Sequence, residues 1–133
     1  MKILLDTNIL YSLLRFPEGK VSDVINKLIN DQEVEIFVSD YCIEELHSVI
    51  SRKRPGDGIL MAPFLANIYR FVSVITTPNI TIYKDELQKV RDEKDRPILL
   101  AALYSGADII LTGDKDLLDA DIDYPKIMSP SEF

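Results

Sequence analysis

The chain begins with an apolar run that ends at a carboxylate. Ile3, Leu4 and Leu5 follow one another without a polar residue between them, and Asp6 stops the run. A strand with one wet face alternates apolar and polar residues, whereas a parallel strand covered on both faces does not. Residues 2–5 are therefore predicted to form a parallel strand inside a sheet. Ligands of such sheets bind beyond the carboxyl ends of the strands, which is where Asp6 is expected to lie.

Strand-like and helix-like segments alternate along the rest of the chain. Apolar runs predict further strands at 34–38, 107–112 and 126–128. Apolar residues spaced three and four apart predict helices at 8–14, 20–30, 40–54, 59–75 and 95–105. The stretch 78–84 fits neither pattern. The alternation predicts one α/β domain over residues 1–133, with three α/β/α layers around a mostly parallel central sheet.

The composition excludes several kinds of site. The single cysteine, Cys42, cannot form an internal disulfide or a cysteine zinc cluster, and the single histidine, His47, argues against a histidine-rich metal site. Because the chain has neither a long apolar run nor a signal-peptide pattern, no membrane association and a cytoplasmic location are expected. The net charge of −7 has the wrong sign for bulk electrostatic binding of nucleic acid. The acids either form a solvated surface or gather around cations.

Three acids are predicted to meet at the carboxyl edge of the sheet. Asp6 follows the first strand, and Asp114 follows the strand at 107–112. Asp95 opens a helix, and the N-terminus of that helix lies at the same edge in a right-handed βαβ unit.

A fourth acid comes from the helix at 40–54. With about 100° between successive residues, Glu45 falls on the border of the apolar stripe, while Glu44 falls almost opposite it. Glu45 is therefore expected to reach the sheet edge and Glu44 to face water. Four carboxylates without histidine or cysteine make an all-oxygen site, which suits Mg²⁺ or Mn²⁺.

Each acid also has a purely structural interpretation. Asp6, Asp95 and Asp116 could each act as a helix N-cap, and Glu45 taken alone could be a solvated helix residue. Asp92 competes with Asp95 as the residue that heads the helix. Taken together, the positions favour a metal site, because strand and helix termini present these acids at one edge of the sheet.

The segments that carry these acids resemble the PIN-domain family of metal-dependent ribonucleases. The family's first motif is similar to ILLDTNIL, and its second is similar to SDYCIEELHSVISR. Its third and fourth motifs are similar to KDRPILLAALYSGADIILTGDKDLL, and its closing strand and turn to IMSPSEF. The resemblance covers the whole chain except 55–90, where no motif matches. It is closest to the VapC-like branch, the toxins of toxin–antitoxin pairs.

The resemblance implies an endoribonuclease that needs Mg²⁺ or Mn²⁺ and leaves a 5′-phosphate and a 3′-hydroxyl. It implies that acids hold the metal: Asp6, Glu45, Asp95 and Asp114, with Asp116 as an accessory acid. It implies that three polar residues orient these carboxylates: Thr7, Asn8 and Thr112.

The resemblance also implies contacts with phosphate and with other proteins. Arg96 and Lys115 are expected to steady the RNA phosphate. Arg52 and Arg54 belong to a basic triplet that either forms a solvated helix end favoured by the helix dipole or contacts phosphates. The resemblance to VapC-like toxins implies that the protein is a homodimer and that an antitoxin silences it. The C-terminal segment of the antitoxin would enter the active-site groove.

Two other classes of protein also place acids at strand ends. A response-regulator receiver domain needs an acidic pair near its first strand and a phospho-accepting aspartate after its third, and a haloacid-dehalogenase-type phosphatase needs Asp-x-Asp where this chain has Asp6-Thr7-Asn8. The sequence therefore fits both classes poorly. Within the PIN-domain family, the alternatives to a toxin are an RNA-processing nuclease and a PIN fold used only for binding or regulation.

Overall fold

A five-stranded sheet forms the centre of the computed structural model, which describes residues 1–78 and 83–133. Its strands are β1 (Lys2–Leu5), β2 (Glu35–Ser39), β3 (Ser73–Ile75), β4 (Ile109–Leu111) and β5 (Lys126–Met128). The order across the sheet is β3-β2-β1-β4-β5, and every neighbouring pair is parallel. The predicted α/β class with a parallel central sheet is therefore confirmed.

Helices connect these strands. The α-helices of the described residues are α1 (Thr7–Arg15), α2 (Lys20–Ile29), α3 (Asp40–Lys53), α4 (Met61–Ile68), α5 (Lys84–Gln88), α6 (Arg96–Ser105) and α7 (Lys115–Leu118). Short 3₁₀ helices cover Pro55–Leu60, Glu93–Asp95 and Pro130–Glu132. Helix α1 packs against α2 and α3, and α6 packs against α3 and β4.

The position of β1 explains its uninterrupted apolar sequence. Ile3, Leu4 and Leu5 are each 0% exposed, because β1 lies between β2 and β4 and is covered on both faces. Leu5 is in register with Val38 of β2 and Leu111 of β4. The three central strands therefore end together, and the residues that follow them meet at one edge.

The prediction of one helix over 59–75 was wrong. The chain there forms a 3₁₀ helix, the eight-residue α4 and then the edge strand β3. Val74, which is paired with Val38, and Ile75 belong to the β-branched end of the segment. β-Branched residues suit a strand better than a helix, and the free edge of β2 supplies the partner that sequence periodicity does not show.

Polar residues fix the element ends beside this edge. Ser39 caps α3 by accepting a hydrogen bond from the Cys42 amide at 3.1 Å. The Asp40 carboxylate accepts bonds from the Thr77 amide at 2.9 Å and the Thr77 hydroxyl at 2.8 Å, which ties the chain after β3 to the start of α3. Gly106 ends α6 in the left-handed conformation, with φ of 73°, which glycine adopts without strain.

The stretch 78–84, which fitted neither pattern, lies partly outside the described residues, since residues 79–82 are not among them. Within the described ranges, no helix has the length and apolar character needed to cross a membrane.

Candidate active site

A cavity of about 250 Å³ is lined by all four of the acids that the sequence pattern assigned to the sheet edge: Asp6, Glu45, Asp95 and Asp114. Its remaining lining residues are Thr7, Asn8, Tyr11, Val49 and Lys53. Asp6 comes from the end of β1, Glu45 from α3, Asp95 from the start of α6 and Asp114 from the segment after β4. The structure thus brings together carboxylates from four separate parts of the chain.

Asp6 serves both as a helix cap and as a wall of the cavity. Its Oδ1 accepts a hydrogen bond from the Thr7 amide at 2.7 Å and so caps α1. Its Oδ2 accepts bonds from the Thr112 hydroxyl at 2.8 Å and the Asn8 amide group at 3.2 Å. The cap interpretation and the site interpretation of Asp6 are therefore compatible, because the residue that caps α1 also lines the cavity.

Thr112 and Asn8 connect the ends of β1 and β4. The Thr112 hydroxyl, besides donating to Asp6, accepts from the Asn8 side chain at 3.2 Å and from the Asp114 amide at 3.0 Å. The Asn8 carbonyl oxygen accepts from the Gly113 amide at 2.8 Å. Thr7 supports Asp6 through its backbone only, since its hydroxyl is buried without a partner among the described residues. These bonds fix Asp6 and Asp114 relative to each other.

The surroundings of Asp6 make its charged form less favourable than that of an exposed aspartate. Burial raises the pKa of Asp6 to about 6, although the bonds from Thr112 and Thr7 lower it, and the nearby Glu45 and Asp114 carboxylates raise it further. The Cys42 thiol lies 3.9 Å from Oδ1, and burial beside Asp6 raises the pKa of Cys42 to about 12. Cys42 is thus a neutral, buried group that packs against Asp6.

The Asp95 carboxylate is incompletely hydrogen-bonded by the described residues. Its Oδ2 is buried and has no hydrogen-bond partner among the described residues, and its side chain does not cap α6. Burial and the adjacent Asp114 carboxylate raise the pKa of Asp95 to about 8. A buried carboxylate oxygen without a donor is costly, so this atom is well suited to ligate a cation.

Asp92 and Asp116 lie beside Asp95 but outside the cavity. Single carboxylate oxygens of Asp92, Asp95 and Asp116 all lie within 4.8 Å of one another. Asp92 and Asp95 were the two candidates for the residue that heads the helix. Asp92 caps the 3₁₀ helix at Glu93–Asp95, whereas Asp95 directly precedes α6. Asp114, not Asp116, caps α7, and Asp116 forms an ion pair with Arg91.

Helix α3 presents Glu45 to the cavity and Glu44 to solvent, as its apolar periodicity predicted. Val49 and Lys53, four and eight residues after Glu45, continue the same face along the cavity wall. Sequence reasoning missed Tyr11, and it considered Lys53 only as part of the basic triplet at 52–54, not as a residue of the cavity wall. The four-residue spacing from Glu45 was the signal for Lys53, and Tyr11 has the matching spacing from Thr7 on α1.

The predicted phosphate contacts do not line this cavity. Arg52 and Lys115 are exposed beyond its lining, and Arg54 forms an ion pair with Asp57 at 2.9 Å. The Arg96 guanidinium donates to the Val90 carbonyl at 3.1 Å.

The donor set fits a hard divalent cation. The acids of the cavity supply carboxylate oxygens, two of these acids have raised pKa values, and one buried oxygen has no partner among the described residues. A cation would offset the repulsion between these acids, and oxygen-only ligands are those that Mg²⁺ and Mn²⁺ prefer.

A larger groove adjoins the acid cavity. Its volume is about 780 Å³, and Asn8 and Asp114 line both spaces. Apolar side chains from α1, α2 and the C-terminal residues form much of its wall: Ile9, Val21, Val24, Pro130 and Phe133.

Comparison with known proteins agrees with this fold. The family model described as PIN domain matches residues 2–116. The uncharacterized protein MJ1680 of Methanocaldococcus jannaschii is 31% identical over 122 residues, which cover 89% of this chain and 74% of that protein.

Solved structures share the fold at low sequence identity. VapBC2 from Rickettsia felis, bound to a DNA fragment from its promoter, superposes with a TM-score of 0.75 and 16% identity, covering 97% of this chain and 98% of that one. FitAcB from Neisseria gonorrhoeae superposes with a TM-score of 0.68 and 17% identity, covering 98% of this chain and 99% of that one. PAE2754 from Pyrobaculum aerophilum superposes with a TM-score of 0.68 and 17% identity, covering 99% of this chain and 85% of that one.

Fold and cavity together define a parallel α/β protein whose site is built from carboxylates at the sheet edge. The match over residues 2–116 is specific for one group of such proteins, and this chain belongs to the PIN domain family.

Proposed function

We propose that this protein is an endoribonuclease that depends on Mg²⁺ or Mn²⁺ and hydrolyses RNA phosphodiester bonds in the cytoplasm. Members of the PIN domain family are typically nucleases. The observation that carries the proposal is the convergence of four carboxylates on one cavity, with a buried Asp95 oxygen that lacks a partner among the described residues. The products expected from the family resemblance are a 5′-phosphate and a 3′-hydroxyl.

The acids of the cavity would hold the cation: Asp6, Glu45, Asp95 and Asp114, with Asp116 nearby as an accessory acid. When bound, the cation supplies Lewis-acid chemistry, which lowers the pKa of water and offsets the negative charge of the phosphate.

The chain's own residues prepare this site. Thr112 and Asn8 hold Asp6 Oδ2 from two sides, which fixes the direction of that carboxylate before any ligand arrives. The pKa of Asp95, raised to about 8, means that the cation-free site holds a proton at neutral pH, and the pKa of Asp6, raised to about 6, adds a second proton at lower pH. Cation binding is therefore expected to release protons, and the protein's affinity for the cation should fall as the pH is lowered.

Cleavage of single-stranded and structured RNAs tests the proposal. The wild-type protein should cut with Mn²⁺ or Mg²⁺ and not with EDTA, while Asp6→Asn, purified in the same way, should lose the activity and keep its circular dichroism spectrum. Asp121→Asn, an exposed acid outside the cavity, is the matched control. Equal cutting by wild type and Asp6→Asn would show that the activity belongs to a contaminant or that the site is assigned wrongly.

We further propose that the protein is the toxin of a toxin–antitoxin pair, acts as a homodimer and is silenced by a protein partner. The motif resemblance to VapC-like toxins and the shared fold with VapBC2 and FitAcB support this. The adjoining apolar groove, which shares Asn8 and Asp114 with the acid cavity, would receive the partner's C-terminal segment.

Light scattering of the purified protein, alone and with the product of the adjacent gene, tests both parts of this proposal. Stoichiometric binding that stops RNA cleavage is expected. A monomer that binds no such product would favour an RNA-processing nuclease instead.

A further inference from the structure

Among the described residues, Lys53 is the cationic side chain in the lining of the acid cavity. It occupies the last residue of α3 and shares a helix face with Glu45 and Val49, at intervals of four residues. The cavity therefore has a wall that begins with a carboxylate near the sheet and ends with an ammonium group further along α3.

Two arginines near Lys53 already have an acidic partner. Arg54 and Arg15 both form ion pairs with Asp57, at 2.9 and 3.8 Å. Within residues 1–78 and 83–133, Lys53 itself forms no salt bridge, and its side chain is exposed. Lys53 thus has an unpaired charge at the cavity wall within these residues, whereas Arg15 and Arg54 are held by Asp57.

The length of the helix indicates what this charge can reach. Eight residues at 1.5 Å each place the Lys53 and Glu45 backbones about 12 Å apart. Among the described residues, Lys53 forms no ion pair with these acids, and its flexible four-carbon stem brings a point charge to the outer part of the cavity. A polyanion whose reacting phosphate lies at the acids would place a neighbouring phosphate in this region.

We propose that Lys53 binds a backbone phosphate that flanks the scissile phosphate of the RNA substrate. This inference rests on the proposed nuclease function and identifies a substrate-positioning residue for it. The contact is electrostatic and does not depend on the base, so it contributes affinity without reading sequence.

Steady-state cleavage of one RNA by Lys53→Ala, Lys53→Arg and wild type tests this role, with Lys27→Ala as the control. Lys27 is an exposed lysine in the last turn of α2 and does not line the cavity, so its loss changes net charge equally. Lys53→Ala should raise KM roughly tenfold, leave kcat within about twofold, and reduce the slope of log(kcat/KM) against log salt by about one unit. Lys53→Arg should restore most of the lost kcat/KM, and Mn²⁺ affinity should be the same in all four proteins.

Two results would overturn the proposal while leaving the nuclease function intact. One is a KM and salt slope for Lys53→Ala that match Lys27→Ala. The other is a fall in kcat accompanied by altered Mn²⁺ affinity, which would mean that Lys53 acts on the acids. If the wild-type protein cuts no RNA above the Asp6→Asn background, the proposed function itself fails, and the role of Lys53 fails with it.

Discussion

The Asp6 side chain forms hydrogen bonds that hold the fold, but its burial disfavours its negative charge. It caps α1 and accepts a hydrogen bond from the Thr112 hydroxyl, yet burial still outweighs these bonds and raises its pKa to about 6. A carboxylate in this state is ready to exchange a proton for a cation.

The raised pKa of Asp6 should make the metal-free protein less stable as the pH rises. Because the folded pKa of about 6 exceeds the ordinary aspartate pKa of 3.8, the folded state binds the proton more tightly, and stability falls as the pH passes through the folded pKa. Between about pH 5 and about pH 7.5, the free energy of unfolding in EDTA should fall by roughly 1–1.5 kcal/mol more for wild type than for Asp6→Asn. Urea unfolding measures this difference, and parallel curves for the two proteins would contradict it.

Thr112→Val should disturb the site without changing the size of the side chain. The valine cannot donate to Asp6 or accept from Asn8 and the Asp114 amide, so buried polar groups lose partners. A loss of about 1–3 kcal/mol of stability is expected, together with weaker Mn²⁺ binding. Thr76→Val, at an exposed position, should change neither quantity. Calorimetry with Mn²⁺ and chemical unfolding measure the two effects, and unaltered Mn²⁺ affinity in Thr112→Val would show that the bond to Asp6 is dispensable.

At the scale of elements, helix α3 directs the adjacent side chains of Glu44 and Glu45 to different environments. Its buried face packs into the core through Cys42, Leu46 and Ile50, which fixes the rotation of the helix about its axis. That rotation turns Glu45 to the cavity and Glu44 to water.

Glu45→Gln should therefore lower RNA cleavage by at least about tenfold, because it removes one charge from the proposed cation ligands. Glu44→Gln removes the same charge from the solvent face and should leave cleavage within about twofold. Initial rates at limiting Mn²⁺ measure both variants. Equal losses would mean that general surface charge, not the orientation of α3, controls the activity.

At the scale of the whole molecule, the cation and the fold are expected to stabilise each other. The acids come from β1, α3, the start of α6 and the segment after β4, so the complete ligand set exists only in the folded chain. Unfolding must then release the cation, which links stability to its concentration.

Mn²⁺ at about 100 times its Kd should stabilise the folded protein by about 2.7 kcal/mol and raise Tm by roughly 10 °C. EDTA should reverse the shift, and Asp6→Asn should show much less of it. Thermal unfolding followed by circular dichroism measures Tm. An equal shift in the Asp6→Asn protein would place the cation elsewhere on the surface.

Much of the fold and of the acid cavity was predictable from local sequence. An apolar run without alternation marks a covered parallel strand, and Asp6 stands at its carboxyl end. Helical periodicity alone distinguished Glu45 from Glu44. These inferences worked because they depend on the geometry of single elements and on the shared direction of parallel strands.

Tertiary structure alone decided the rest. The strand β3 exists because β2 offers a free edge, and the Thr112–Asp6 bond joins residues separated by 106 positions. The orphaned oxygen of Asp95 and the free charge of Lys53 likewise depend on which side chains surround them in the described part of the chain. Local periodicity fixes which face of an element is apolar, whereas hydrogen bonds and charges across the sheet edge depend on which distant elements pack together.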